Sequence, residues 1–326
     1  MDISIIIVNY NSWQVLDNCL SSIINIQTYL NYEIIVVDNQ SSNNQLDTYK
    51  KKYTNISWII NSGNNGFANA CNLGAKHANA KYLFFLNPDT QLKDSVLDHL
   101  LLVYTSENIG ILTCLQENNK SSFEKYNLLF PSPIRIFGVL RSFERNINKN
   151  KLKIKFNETA SRSYPDWVSG SALFISKTNL EKIGYWTEDY WMYFEDVDLC
   201  KKANHYGLNC VVTKQVSIFH LHGGASRINP KTKAITKSEV IKSRHVYISN
   251  HFSKTAQYIL QPLLFTNTIF TEGLMYLLSI PLFFIKKLHV NRYKFTELCK
   301  YYISVIKNKT WLSQRSTKFN TQCKKF

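Results

Sequence analysis

Long apolar runs, paired cysteines and, in the last third, acidic residues are what this 326-residue chain lacks. Its longest apolar stretch, 274–285, is interrupted by Ser279 and has twelve residues, against the ~20 that a membrane-spanning helix needs. Extending it back to Leu263 meets Glu272 and Asn267. Seven cysteines are scattered without any CxxC pair, which argues against a disulfide framework and a zinc site and for a reducing compartment. The N-terminal MDISIIIVNYN has an acid at Asp2, no basic lead and only a short apolar run. It reads as a first strand rather than a leader, which places the catalytic part in the cytoplasm. Residues 231–326 hold 3 Asp+Glu against 17 Lys+Arg, whereas residues 1–230 hold 20 against 22. The net charge of +16 is thus a C-terminal property, and it implies an anionic partner there, either a membrane surface or a nucleic acid.

What is present is alternation. Strand-like runs at 3–9, 33–38, 56–60, 82–86 and 109–115 alternate with helical spacing at 13–26, 45–53, 67–78 and 96–104. Continuously apolar strands separated by helices predict a mostly parallel sheet covered by helices. Ligands of such sheets sit beyond the carboxyl ends of the strands, where Asn9, Asp38, Asn61, Asn87 and Asp89 fall. Residues 116–165, polar and basic, read as a mobile insertion. A strand is expected at 167–175, two short strands at 210–212 and 216–220, and basic, aromatic helices after about residue 230.

Four motifs carry the chemistry. Asp38 ends a strand in VVDNQS; it can take a hydrogen bond from a nucleobase or ribose, or form an Asx turn that caps the next helix. The Gly/Asn turn 63–74, with Asn65, Gly66, Asn69 and Asn72, lacks the G-x-G-x-x-G spacing. Its small residues allow either a diphosphate or a close-packed sheet to approach. Asp89 in NPDT offers one carboxylate, which Mg²⁺ or Mn²⁺ would complete with phosphate, water and another side chain. Glu195, Asp196 and Asp198 lie among Trp191, Tyr193 and Phe194. One of them can satisfy a helix dipole, and a desolvated carboxylate there gains basicity toward a general base. His220 and His222, spaced i and i+2 before Gly223-Gly224, share one face of a strand. Together these sites can build a metal-dependent site for an anionic substrate, the chemistry of sugar transfer from a nucleotide diphosphate.

With SIIIVNYNS, VVDNQS, NNGFANACNLG, LFFLNPDT, WVSGSALFISK, the GYW…YFEDVDLC block and HGGAS in this order, the chain resembles family 2 glycosyltransferases of GT-A fold, in their rhamnosyltransferase-like branch. The resemblance covers about 220 residues, excluding the insertion and most of the C-terminal segment. It implies a catalytic domain at 1–230, with a nucleotide-binding half (1–115) and an acceptor and catalytic half (166–230) on either side of the variable insertion (116–165). The basic, aromatic composition of 231–326 separately reads as a membrane-associating amphipathic helical segment. The resemblance also implies inverting transfer. Asp38 would bind the base, with Asn9, Asn65, Gly66, Asn69, Asn72, Asn87, Trp167 and Gly170 on the donor side. Asp89 and a histidine, His220 or His222, would hold Mg²⁺ or Mn²⁺, and Asp196, beside Glu195, would deprotonate the acceptor. Two departures stand out: Asn87 replaces the first acid of the DxD motif, and His222 abuts the glycine pair. The QxxRW signature of processive synthases is absent, which favours single addition. The expected donor is dTDP-rhamnose, with a UDP-hexose as the alternative. The expected acceptor is a lipid-linked oligosaccharide of cell-surface polysaccharide synthesis, met on the inner face of the membrane. A nucleotidyltransferase would need a Gly-rich basic loop after the first strand, which VNYNSWQ is not. A non-catalytic nucleic-acid binder would leave the acidic and histidine residues idle, so no nucleic-acid partner is expected.

Overall fold

Nearly continuous apolar runs, IIIV in β1, IIVV in β2 and YLFFL in β4, make the centre of the sheet, because both faces of each strand are covered. The computed structural model describes residues 1–43, 45–118, 128–148, 160–221, 223, 229–282, 284–285 and 288–323. In chain order the first half is β1 (Ile3–Asn9), α1 (Trp13–Ile24), β2 (Tyr32–Asp38), α2 (Leu46–Lys52), β3 (Ser57–Ile60), α3 (Phe67–His77), β4 (Tyr82–Leu86), β5 (Thr90–Gln91), α4 (Val96–Ser106) and β6 (Ile109–Glu117). There follow α5 (Gly138–Ile147), β7 (Arg162–Ser163), β8 (Ala172–Ser176), α6 (Lys177–Lys182), α7 (Glu195–His205) and β9 (Asn209–His220). The chain continues with α8 (Pro230–His251), α9 (Lys254–Ser279), α10 (His289–Asn308) and α11 (Thr317–Cys323).

The strands form one sheet in the order β3-β2-β1-β4-β8-β6-β9-β5, with β7 also paired to β9. Strands β1, β2, β3, β4, β6 and β9 run one way, and β5, β7 and β8 run against them. The sheet is therefore mostly parallel, as the alternation predicts. Period-2 alternation divides its core. Ile5, Ile7, Val36 and Phe84 face one side with Leu16, Leu20, Leu97 and Leu100; Ile6, Ile35, Val37 and Phe85 face the other with Ala70, Cys71, Ala75 and Leu199. Helix α3 lies so near the sheet that a Cβ at Gly74 would come within 2.5 Å of Ile6 Cγ2. At that position the small residue serves helix–sheet packing.

The chain divides into two compact units. The first is Met1–Phe130, Phe143–Thr187 and Glu195–Ala225; the second is Pro131–Ser142, Glu188–Phe194 and Ser226–Phe326. The second is helical and has a polar interior. Glu239, fully buried, pairs with Lys242 Nζ at 2.7 Å and accepts from Ser313 Oγ at 3.1 Å. His245, also fully buried, stacks on Trp311 with ring centroids 4.5 Å apart.

Three sequence expectations change. Residues 116–165 contain the end of β6, helix α5 and strand β7, while 119–127 and 149–159 lie outside the described residues. The strand expected over 167–175 is only Ala172–Ser176, because the Gly/Ser-containing stretch before it leaves the sheet. The two short strands expected after residue 209 are one, Asn209–His220. Its polar middle stays extended because β7 pairs with Val212 and Thr213 and the β6 register shifts beyond Thr213. The six cysteines whose side chains are described are free thiols, as their scatter implies.

Candidate active site

Parallel pairing sets Asn9 directly opposite Asp38 at the carboxyl ends of β1 and β2. Asn9 Nδ2 donates to Asp38 Oδ1 at 2.8 Å. Ser41 supplies two more donors, its hydroxyl to Oδ1 at 2.6 Å and its backbone N–H to Oδ2 at 2.8 Å. Asp38 thus holds the local turn at Ser41, three residues on, but does not cap the next helix as the Asx-turn reading has it: the N-cap of α2 is Gln45. Of the carboxylate's roughly four lone-pair sites, one is left for a ligand. An amide network continues beside it. Asn61 Nδ2 donates to Asn39 Oδ1 and to Asn69 Oδ1, each at 2.8 Å, and Asn39 Nδ2 reaches the Gly66 carbonyl at 3.1 Å. Asn65 Nδ2 bonds Ser62 Oγ at 3.0 Å. Gly66 has φ of 91°, a left-handed backbone that favours glycine at the entry to α3. Asn72 points elsewhere. Its Oδ1 accepts the Trp186 N–H and its Nδ2 donates to the Trp186 carbonyl, both at 2.9 Å. This buried amide staples α3 to the loop before α7, a scaffold task in place of the donor contact expected from sequence.

The short antiparallel pair β5–β9 sets Thr90 opposite His220, and the Leu221 N–H bonds the Asp89 carbonyl at 2.9 Å. Asp89 and His220 are thereby held side by side, both buried, with Oδ1 and Nε2 3.4 Å apart. The Gly223 N–H donates to Asp89 Oδ2 at 3.1 Å. Burial pushes the Asp89 pKa up, but His220 and the Gly223 N–H outweigh it, and the carboxyl stays below its usual range. On its other side, His220 Nδ1 lies 2.7 Å from Gln116 Oε1. That oxygen only accepts, so Nδ1 carries a proton; in the protonated ring Nε2–H donates to Asp89 and holds its pKa down, and in the neutral ring Nε2 turns a lone pair toward Asp89. A carboxylate oxygen and an imidazole lone pair facing each other in a buried site fit a divalent cation, the rest of whose shell would come from phosphate and water. Among the described residues no group of three or more His, Cys, Asp and Glu gathers around a common point, and His222 lies outside them. Asn87 holds the turn through its backbone, its N–H on the Ser171 carbonyl at 2.9 Å and its carbonyl accepting from Thr90 Oγ1 at 2.7 Å.

The third group opens α7. Asp198 accepts from Thr187 Oγ1 and lies 3.9 Å from Lys202 Nζ one turn on; it is the acid spent on the helix itself. Glu195 is buried and its Oε2 has no hydrogen-bond partner among the described residues. Burial, reinforced by the neighbouring Asp196 and Asp198 charges, holds its pKa well above the usual carboxylate value. Asp196 is half-buried. Burial raises its pKa as well, opposed by N–H donation from Gly170 and Val197. Gly170 is closely packed: a Cβ would lie 3.3 Å from Phe67 and Trp186 side-chain atoms, which would have to give by a few tenths of an ångström, and 3.5 Å from Asp196 Cβ. The Trp167 indole N–H bonds the Leu129 carbonyl at 3.2 Å. Just before the acids, Tyr193 and Phe194 both have φ of 70°, a left-handed pair of bulky residues of the kind that clusters at functional sites.

The structure thus joins Asn9 with Asp38, Asn65 and Gly66 with Asn69 through Asn39 and Asn61, Asp89 with His220, and Gly170 with Asp196. Sequence reasoning passed over Gln116 and Ser171, because each works through a partner set by strand register or a local turn.

Residues 4–165 match the model of glycosyl transferase family 2. The chain is 28% identical over 228 residues to the low-salt glycan biosynthesis hexosyltransferase Agl10 of Haloferax volcanii, covering 67% of each chain. It is 24% identical over 264 residues to the N-acetylglucosaminyl-diphospho-decaprenol L-rhamnosyltransferase of Mycobacterium tuberculosis, covering 76% of this chain and 84% of that one. Its fold is similar to that of a mannosyltransferase from Pyrobaculum calidifontis solved with GDP-Man and Mn²⁺, with a TM-score of 0.51 at 14% identity, over 82% of this chain and 69% of that one. The sheet order, the ordered motifs and these similarities agree: the chain is a hexosyltransferase of GT-A fold and belongs to glycosyltransferase family 2.

Proposed function

We propose that this enzyme transfers one rhamnose at a time, with inversion, from dTDP-rhamnose to a lipid-linked oligosaccharide at the cytoplasmic face of the membrane. The observation that carries the reading is the Asp196 carboxylate, fixed on two backbone N–H groups and made more basic by burial. The acceptor hydroxyl attacks the anomeric carbon of the donor, its proton passes to Asp196, and the bond from that carbon to the diphosphate oxygen breaks. The nucleoside diphosphate leaves with the electron pair, and single displacement inverts the anomeric centre. A divalent cation held by Asp89 and His220 would neutralise charge on the departing diphosphate. Asp38 and Asn9 receive the nucleoside at the strand ends. The choice of rhamnose rests on the M. tuberculosis relative, whose name specifies an L-rhamnosyl transfer to a lipid diphosphate.

Membrane association rests on α9 and the turn after it. Residues 255–285 contain a single charged side chain, Glu272, which is paired at 2.5 Å with Lys294. Phe270, Leu274, Leu277, Leu278 and Phe284 are exposed. No helix among the described residues is long and apolar enough to cross a membrane. An in-plane helix with lysines toward anionic headgroups suits this surface.

The test is nucleoside-diphosphate release by the purified protein across a panel of nucleotide sugars, with Mg²⁺ or Mn²⁺ and with EDTA. Release from dTDP-rhamnose above all others supports the reading. Preference for a UDP-hexose replaces the donor, and no turnover of any sugar nucleotide refutes the proposal.

A further inference from the structure

Gln116 is fully buried near the end of β6, and no motif marks it. In the parallel pairing of β6 with β9 it stands opposite Ile218, two residues before His220. Its Oε1 accepts from His220 Nδ1 at 2.7 Å and from Ser171 Oγ at 2.8 Å, which fills both lone pairs of that oxygen. Ser171 is held in turn: its hydroxyl lies 3.0 Å from Ser169 Oγ, and its carbonyl takes the Asn87 N–H at the turn that carries Asp89.

We infer that Gln116 is a positioning residue for the sugar-transfer reaction: it fixes the tautomer and ring orientation of His220 so that Nε2 faces Asp89 as a ligand for a divalent cation. The inference rests on the proposed roles of Asp89 and His220. Neutral imidazole has one N–H and one lone pair, and the hydrogen bond made by one nitrogen decides which nitrogen binds. With Oε1 toward the ring, Nδ1 keeps the proton. With the amide turned over, Nε2 would carry the proton, donate it to Asp89 Oδ1, and leave no lone pair for a cation. Ser171 stabilises the first setting, because its hydroxyl donates to the same oxygen. Outer partners of this kind typically govern about 10- to 100-fold in metal affinity.

Two measurements on the full chain test this. Long-range ¹⁵N–¹H correlation spectra of the metal-free protein at mildly alkaline pH, with the His220 signals assigned from a His220→Gln sample, report the tautomer. We expect a protonated Nδ1 and a lone-pair Nε2 in the wild type, and loss of that single tautomer in Gln116→Leu. Mn²⁺ titration by electron paramagnetic resonance, with a nucleoside diphosphate present, is expected to show about 10- to 100-fold weaker binding in Gln116→Leu and near-wild-type binding in Gln116→Glu, which keeps the acceptor. Circular dichroism checks that both variants fold; should Gln116→Leu fail, the wild-type tautomer and Gln116→Glu still decide. A protonated Nε2 in the wild type, or Gln116→Leu binding Mn²⁺ as the wild type does, overturns the role of Gln116. Absence of any wild-type Mn²⁺ binding overturns instead the metal reading on which it stands.

Discussion

Asp196, in the first turn of α7, and Gly170, just before β8, are joined by a 3.1 Å hydrogen bond from the Gly170 N–H to Asp196 Oδ2. The Val197 N–H holds the other oxygen at 2.8 Å. Two backbone donors fix the direction of the carboxylate without charging it from a neighbouring cation, so burial still raises its basicity. Asp196→Asn keeps the shape and removes the proton acceptor. Turnover should fall at least ~10²-fold, the lower end for loss of a general base, while calorimetry shows unchanged affinity for the nucleoside diphosphate. Near-normal turnover would remove Asp196 from this role.

Glu195 carries a pH signature. Its pKa is raised by burial and by two acidic neighbours, so folding favours its neutral form. The sign follows: stability is full below the ordinary glutamate range and is lost as pH rises toward the raised folded value. Glu195→Gln should therefore raise the thermal midpoint at neutral pH and leave it little changed in acid. A variant less stable than the wild type at neutral pH would mean that the unpartnered carboxylate has a partner in solution.

His245 in the helical unit has the opposite linkage. Burial lowers its pKa to about 4, against a raising bond from Gln261 and with Arg244 lowering it further. Stability is full above the ordinary histidine value of 6.5 and is lost as pH falls through about 4. Urea midpoints of the wild type should drop across that window more steeply than those of His245→Gln. Parallel curves would show that the buried ring is already charged.

The main strands of the first half were legible because each has an apolar run, β-branched in β1 and β2 and aromatic in β4, and Ile3–Asn9 needs no other information. Asp89 with a histidine, His220 or His222, was expected from the family resemblance, whereas the β5–β9 register that sets His220 beside Asp89 was not legible. Gln116 was not legible at all, because its partner lies 104 positions away. Asn72 misled for the same reason. A polar residue on a small-residue helix reads as ligand-facing, and its partner Trp186 is 114 positions distant. Strand β9 was read as two because Lys214 and Gln215 break the apolar pattern, whereas the ladder carries the backbone through them.

The apolar face of α9 makes a separate prediction. The protein should float with anionic vesicles, less so in high salt, and weakly with neutral ones. The double variant Leu277→Asp with Leu278→Asp, at positions 61% and 53% exposed, should lose flotation while keeping its helix content. Equal flotation on neutral and anionic vesicles contradicts the electrostatic part, and undiminished flotation of the double variant contradicts the assigned face.

The most direct test of the central claim is the anomeric configuration of the sugar transferred by the purified enzyme, read by NMR of the product with and without EDTA. The account predicts a configuration inverted relative to the donor, formed only with Mg²⁺ or Mn²⁺ present and lost in Asp89→Ala. A retained configuration, or full transfer in excess EDTA, would contradict it.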